Sequence, residues 1–270
     1  MTLTHHPGGA LPRGLYVPAI GALALLVLPI VGLVSRVRWS TLGGDLFSAA
    51  ALEALRLSVA TAACATAVCV LLGLPLAVVI ARASTRGAAV LRTLVLVPLV
   101  LPPMVGGLAL LSLLGRSGLV GKPVFEATGF SLPYTTAAVV VAQAFVSLPF
   151  LVITIEGALR TSGTGHEQVA ASLGAGPWRV LTRVTVPLVL PGLVAGTVLC
   201  FARAIGEFGA TALFAGNSPG VTRTMPLALY TAFNGVGVTQ ESAVALSLLL
   251  LVSAAVIVGG LRSWRQDAVR

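Results

Sequence analysis

Charge is what this sequence has least of. Only 9% of its 270 residues are Asp, Glu, Lys or Arg, while 57% are hydrophobic and the mean hydropathy is +1.01. Soluble domains carry about 25% charged residues, so an ordinary water-solvated fold is excluded. Acidic residues are scarcer than basic ones, 8 against 17, and the formal charge is +9. In a soluble protein that balance would point to nucleic acid. Here the basic residues stand mostly at the edges of apolar runs, a pattern imposed by membrane topology.

Cysteine and histidine are also rare. Cys64, Cys69 and Cys200 all fall inside apolar runs with no CxxC or Cys/His ligand spacing, so they read as small core residues. His5 and His6 lie near the N-terminus and His166 in a polar loop, so no nucleophilic triad or His-rich metal constellation is visible. The stretch GRSGLVGK, Gly115 to Lys122, narrowly misses a P-loop: five residues separate Gly115 and Gly121, and Pro123 takes the Ser/Thr position. No catalytic residue, metal ligand, bound cofactor or nucleotide site is therefore expected, and the chain is not expected to be an enzyme by itself.

Long apolar runs are what the sequence has in abundance. A helix crossing the hydrocarbon core needs roughly 20 mostly apolar residues. Spans are expected at about 15–35, 57–81, 90–114, 135–158, 184–214 and 242–261. The first run, Leu15 to Val34, exceeds a signal-peptide core and is followed by further spans, so it reads as a retained helix. With the N-terminus inside, the cytoplasmic set holds Arg13, Arg82, Arg86, Arg92, Arg160, Arg179, Arg183, Arg262, Arg265 and Arg270. The outer set holds Arg36, Arg38, Arg56, Arg116, Lys122 and Arg223. Ten against six favours this orientation, with both termini in the cytoplasm. The expected division is a cytoplasmic segment 1–14, one membrane domain 15–262 and a cytoplasmic tail 263–270.

The loop at about 159–183 then faces the cytoplasm. It carries its own helical pattern: EQVAASLG is a run of good helix formers, Gly174 is a natural stop, and Pro177 suits the first turn of a second short helix. A bare connector would need only a few residues. The segment EQVAASLGAGPWRVLTRVTVPLVLPG, Glu167 to Gly192, resembles the cytoplasmic signature loop of ABC importer permeases. That loop reads E-A-A, three residues, Gly, nine residues, then I-x-L-P. Aligned on Gly174, the closing positions fall on Val184 to Pro187 and the opening ones on Gln168, Val169 and Ala170, with Glu167 one place early. The resemblance implies a coupling element that docks on a partner ATPase. Ala170, Ala171 and Gly174 would allow close approach, Leu173 and Trp178 would supply contact area, and Glu167 and Gln168 open the helix.

A second segment, ARAIGEFGATALFAGNSPGVTRTMPLALY from Ala202 to Tyr230, is similar to the fifth-span region of molybdate permeases. LPPMVGGLALLSLLGRSGLVG, Leu101 to Gly121, resembles the third-span region of that family, whose general pattern sulfate permeases share. Within span five, Arg203 and Glu207 are opposite charges set i,i+4 at membrane depth. Such charges are costly and usually face a bundle interior or water, as a pathway or as a structural pair. Gly206 and Gly209 permit close helix contact, and Thr211 follows on the same stretch. Pro98, Pro102 and Pro103 in span three and Pro187 and Pro191 in span five remove backbone donors, so a gate is expected where they bend the helices. Gln143 and Ser147 in span four suit interhelical hydrogen bonds.

The resemblance implies an all-α bundle of six transmembrane helices of the type I ABC importer kind. It also implies a homodimer, because one chain offers one coupling loop and two ATPase subunits must be served. The expected partners are a second copy, two ATP-binding subunits that consume the ATP, an extracytoplasmic oxyanion-binding protein and the lipids of a bacterial cytoplasmic membrane. The expected cargo is molybdate, with tungstate and sulfate as alternatives. Two other classes stay open. A proton-coupled carrier could use Arg203 and Glu207 as a relay, given broken helices in both halves and an internal repeat. A membrane anchor would explain the apolar bundle but not the loop.

Overall fold

The computed structural model describes residues 12–40, 42–234, 247, 248 and 252. Of the sixth expected span only residues 247, 248 and 252 are described, and of the expected terminal segments only residues 12–14. The described residues form helices and turns without strands: α1 Tyr16–Ser35, α2 Leu42–Leu46, α3 Ala49–Arg82, α4 Thr85–Val100, α5 Pro103–Leu114, α6 Gly121–Thr128, α7 Thr136–Ser162, α8 Gly165–Ser172, α9 Pro177–Val180, α10 Val186–Ile205, α11 Gly209–Phe214 and α12 Met225–Phe233. Among the described residues, four helical stretches are long and apolar enough to cross a membrane, or five if α4 and α5 count as one bent span.

Local chemistry sets the starts of the long helices. Ser48, Ser84 and Thr135 each cap a helix, their hydroxyls accepting from the backbone N–H three residues on, at 3.3, 3.4 and 3.2 Å. The packing of α3 follows from a stripe of small residues, Ala51, Ala54, Ser58, Ala62, Ala65, Cys69, Gly73 and Ala77, spaced three or four apart along one buried face. Small side chains let membrane helices approach closely, and α7 and α10 lie against this stripe. A Cβ on Gly73 would stand 2.9 Å from Leu151 of α7. The rims of the bundle are apolar too: Leu71 of α3 and Val100 of α4 are largely exposed, as is most of α1, in which no residue is fully buried among the described residues. Lipid suits such surfaces.

The third expected span is not one straight rod. α4 and α5 meet at 112°, across Leu101 and Pro102. A residue that precedes proline is driven out of the helical region. Leu101 precedes Pro102 and Pro102 precedes Pro103, and both are extended, at ψ 134°. The fifth span also differs from expectation. It begins earlier, through α9 and a π turn at Leu181–Thr185, and it stops at Gly206 before α11 resumes. Pro98 and Pro191 lie inside continuous helices, so proline alone does not locate the breaks. The wide turn does have a proline cause: Pro187 offers no N–H and its ring crowds the carbonyl of Arg183, while the Val186 N–H reaches back to Leu181.

Candidate functional site

Two places carry the residues singled out in the sequence. The first is the 159–183 loop. α8 ends as the sequence suggests, with the Gly174 N–H donating to Ala171 at 2.9 Å and the Ala175 N–H to Ala170 at 3.0 Å. This is a Schellman ending, and it requires Gly174 at φ +84°. α9 starts on Pro177, and the result is helix, bend, helix. Val169, Leu173 and Trp178 are 62%, 83% and 78% exposed, while Gln168 and Ala171 are exposed and Ala170 half-buried. Large apolar groups are thus held outward on short helices at a polar loop.

Glu167 does something else. Its carboxylate accepts from the Arg82 guanidinium at the end of α3 and from the Thr185 hydroxyl, the latter at 2.7 Å. One side chain thereby ties α8 to the end of α3 and to the π turn that leads into α10. Arg82 and Thr185 were not identifiable as its partners from sequence, since Arg82 lies 85 residues away.

The second place is where the two interrupted helices meet. Gly209 faces the bend: a Cβ there would lie 2.7 Å from the Pro103 Cβ and 3.2 Å from the Met104 nitrogen. Gly107 of α5 faces α11 equally tightly, with the Ala210 carbonyl oxygen 2.8 Å from where its Cβ would be. The expected gate residues Pro103 and Gly209 are thus in contact. Glu207 sits in the break with only 1% exposure; its Oε2 pairs with the Arg203 guanidinium at 2.6 Å and its Oε1 accepts from the Ala210 N–H at 2.8 Å. It therefore neutralises Arg203 and opens α11 at once. Arg203 keeps 27% of its side chain exposed, Gly206 and Pro102 are exposed, and the buried Thr211 hydroxyl has no partner among the described residues.

Beyond the break, Asn217 acts as a clasp. Its amide nitrogen donates to Thr231 at 2.9 Å and its carbonyl oxygen accepts from Arg223 at 2.9 Å. The glycines of the P-loop near miss pack on backbone: a Cβ at Gly118 would be 2.7 Å from the Ser112 carbonyl. They close the turn between α5 and α6. Of the interhelical hydrogen bonds expected of span four, Ser147 makes one, its hydroxyl lying 3.7 Å from the Cys69 thiol of α3, and it also donates to the Gln143 carbonyl of its own helix at 2.5 Å. Gln143 and Ser147 are both buried, and the Gln143 amide has no partner among the described residues.

A third cluster was missed. Arg203 and Glu207 are not alone as an i,i+4 pair at depth, because α7 runs on to Ser162 and holds Glu156 inside, 4% exposed. Arg160 Nε donates to Glu156 Oε1 at 2.8 Å, and Arg92 of α4 reaches both oxygens, Nε to Oε2 at 3.2 Å. The Glu156/Arg160 spacing was a usable signal, hidden because the span was expected to end at 158.

The chain is similar to known proteins along most of its length. Residues 73–264 match the family described as binding-protein-dependent transport system inner membrane component, which encloses all three clusters. The chain is 53% identical over 256 residues to the molybdenum transport system permease protein ModB of Mycobacterium tuberculosis, covering 94% of this chain and 95% of that one. The Escherichia coli K12 ModB is 41% identical over 185 residues, 68% of this chain and 80% of its own. A probable molybdenum ABC transporter permease protein of Haloferax volcanii is 38% identical over 246 residues, 91% of this chain and 88% of its own. In fold, the chain is similar to a bacterial ABC transporter involved in alginate import, with a TM-score of 0.71 at 17% identity over 95% of each chain. It is also similar to the MetNI methionine ABC transporter, with a TM-score of 0.62 at 17% identity over 81% of this chain and 96% of that one.

Proposed function

Since the chain belongs to the binding-protein-dependent transport system inner membrane component family, we propose that it is the permease subunit of an ATP-driven ABC importer that moves molybdate across the cytoplasmic membrane. The observation that carries the cargo is the 53% identity to a molybdenum permease along almost the full length of both chains. The loop geometry supports the energy source: Val169, Leu173 and Trp178 are presented outward, as a surface for a separate ATP-binding subunit would be. Helix breaks alone would suit a proton-coupled carrier equally well, and here they occur in both the α4/α5 and the α10/α11 pairs. Family membership and the exposed loop favour the importer.

In this reading two copies pair about a two-fold axis, each with six spans and both termini in the cytoplasm, and each copy docks one ATPase through α8 and α9. An extracytoplasmic binding protein delivers the anion. ATP binding draws the ATPases together, the loops move, and the bundle opens outward; hydrolysis returns it inward. Pro102, Pro103, Arg203, Gly206, Glu207, Gly209 and Thr211 belong to the pathway or gate. A path that must release its anion binds it weakly, leaving selectivity to the binding protein. Arg203, with its charge mostly neutralised by Glu207, fits that demand.

The test is uptake of labelled molybdate into proteoliposomes holding the chain, its ATPase and its binding protein. Uptake should require ATP, and tungstate should compete better than sulfate. Uptake driven by a proton gradient without ATP would overturn the importer, and stronger competition by sulfate would reassign the cargo.

A further inference from the structure

α4 is the least buried of the long helices inside the bundle. Ala88 is its one buried residue among those described, yet α4 leads directly into the 112° bend. Ala88, Leu91 and Val95 pack on the apolar core around Leu151 and Ile155, and a polar contact adds direction to that packing. Arg92 places Nε and Nη2 on the two oxygens of Glu156, a fork that fixes direction as well as distance, and Arg160 holds the same carboxylate from the next turn of α7. The packing beside this contact is incomplete. An open-sided pocket of about 350 Å³ lies between α4 and its neighbours, running along Leu91, Leu94, Val95 and Pro98 of α4 and bounded by Leu76 of α3 and by Phe145, Leu148 and Pro149 of α7. From Arg92 to Leu101 is nine residues, a lever of about 14 Å.

Resting on the importer reading, we propose that Glu156 is a positioning residue for transport. It pins α4 to α7 near the cytoplasmic end, so that movement of the coupling loop at the end of α7 swings the far end of α4 and works the bend at Leu101 and Pro102. The pocket supplies room for the swing. Arg160 keeps the carboxylate aimed while Arg92 carries the load between helices. Nothing in the pin touches the anion, so its loss uncouples ATP hydrolysis from transport without altering what is carried.

The experiment measures ATP hydrolysed per molybdate moved, in proteoliposomes containing the complete importer. Glu156→Gln should raise that ratio about tenfold, a typical scale for residues linking distant sites. Arg92→Gln should do the same, and the double variant should go no further than either single one, since both remove one link. A purely structural role would lower hydrolysis and uptake together and leave the ratio unchanged. That result, or additive effects in the double variant, would overturn the pin. Should the Gln variants fail to assemble, Arg92→Lys keeps the charge and loses the fork; it should raise the ratio about threefold, and an unchanged ratio there also overturns the pin. The wild type separates the two readings. If it shows no ATP-driven molybdate uptake the importer reading fails, whereas a working wild type beside unchanged variants sinks the pin alone.

Discussion

Glycine is used for opposite reasons at the end of α8 and at the contact between α5 and α11. Gly174 ends α8 at φ +84° with nothing within 4 Å of where a Cβ would sit. Gly107 and Gly209 avoid positive φ, and a Cβ on either would meet the opposing helix at under 3.0 Å. One region is defined by a dihedral angle and stands open; the other is defined by contact and has no spare volume. A loop of the first kind can change its side chains and keep its shape. A contact of the second kind can keep its dihedrals and still be destroyed by one methyl group.

The sharpest way to break this contrast is to enlarge both sites. Gly209→Val should destabilise the bundle by about 3 kcal/mol, because overpacking against the Pro103 and Met104 backbone cannot relax by side-chain rotation. Thermal melting in detergent should show a lower Tm and a reduced yield of folded protein, and a Tm equal to wild type would refute the contact. Glu207→Gln should cost about 2 kcal/mol, since it leaves Arg203 partly buried without its counter-charge while an amide oxygen can still accept from Ala210. Arg203→Gln combined with it should restore most of that loss; no recovery would mean the pair is not the source.

At the end of α8 the effects are smaller. Gly174→Ala and Gly174→Leu should each cost about 1 kcal/mol, nearly alike, because only the left-handed backbone resists them. The protein should stay membrane-inserted while uptake per ATP falls, and a much larger loss for Leu than for Ala would show that the site is crowded after all. Leu173→Ser should leave stability within about 0.5 kcal/mol of wild type, as befits an exposed side chain, and yet weaken co-purification of the ATPase. Unchanged co-purification would remove Leu173 from the docking surface.

The same contrast explains what the sequence made legible. The first, second and fourth spans and the α8 ending could be read because apolar length, Gly174 and Pro177 act within a few residues of themselves. The bend could be foreseen as a proline effect but not placed, since Pro98 and Pro191 are absorbed into helices and only the adjacent pair Pro102 and Pro103 forces two successive residues out. The break after Gly206 is stabilised from another helix, through the contact of Gly209 with Pro103. The pairing of Arg92 with Glu156 joins positions 64 residues apart, for which local pattern holds no information.

The π turn at Leu181–Thr185 has one more consequence, for changes in chain length. Its extra residue brings the Thr185 hydroxyl to Glu167 while α10 continues inward with its own face to the bundle. Each residue of an α-helix advances about 100° around the axis, so deleting one residue here and letting the turn tighten would rotate α8 and α9 against α10 by about that angle. The outward-facing patch would then point sideways. Relatives should therefore tolerate substitutions throughout this stretch while keeping the number of residues between Gly174 and Pro187 constant, the count acting as a mechanical setting that no single side chain specifies.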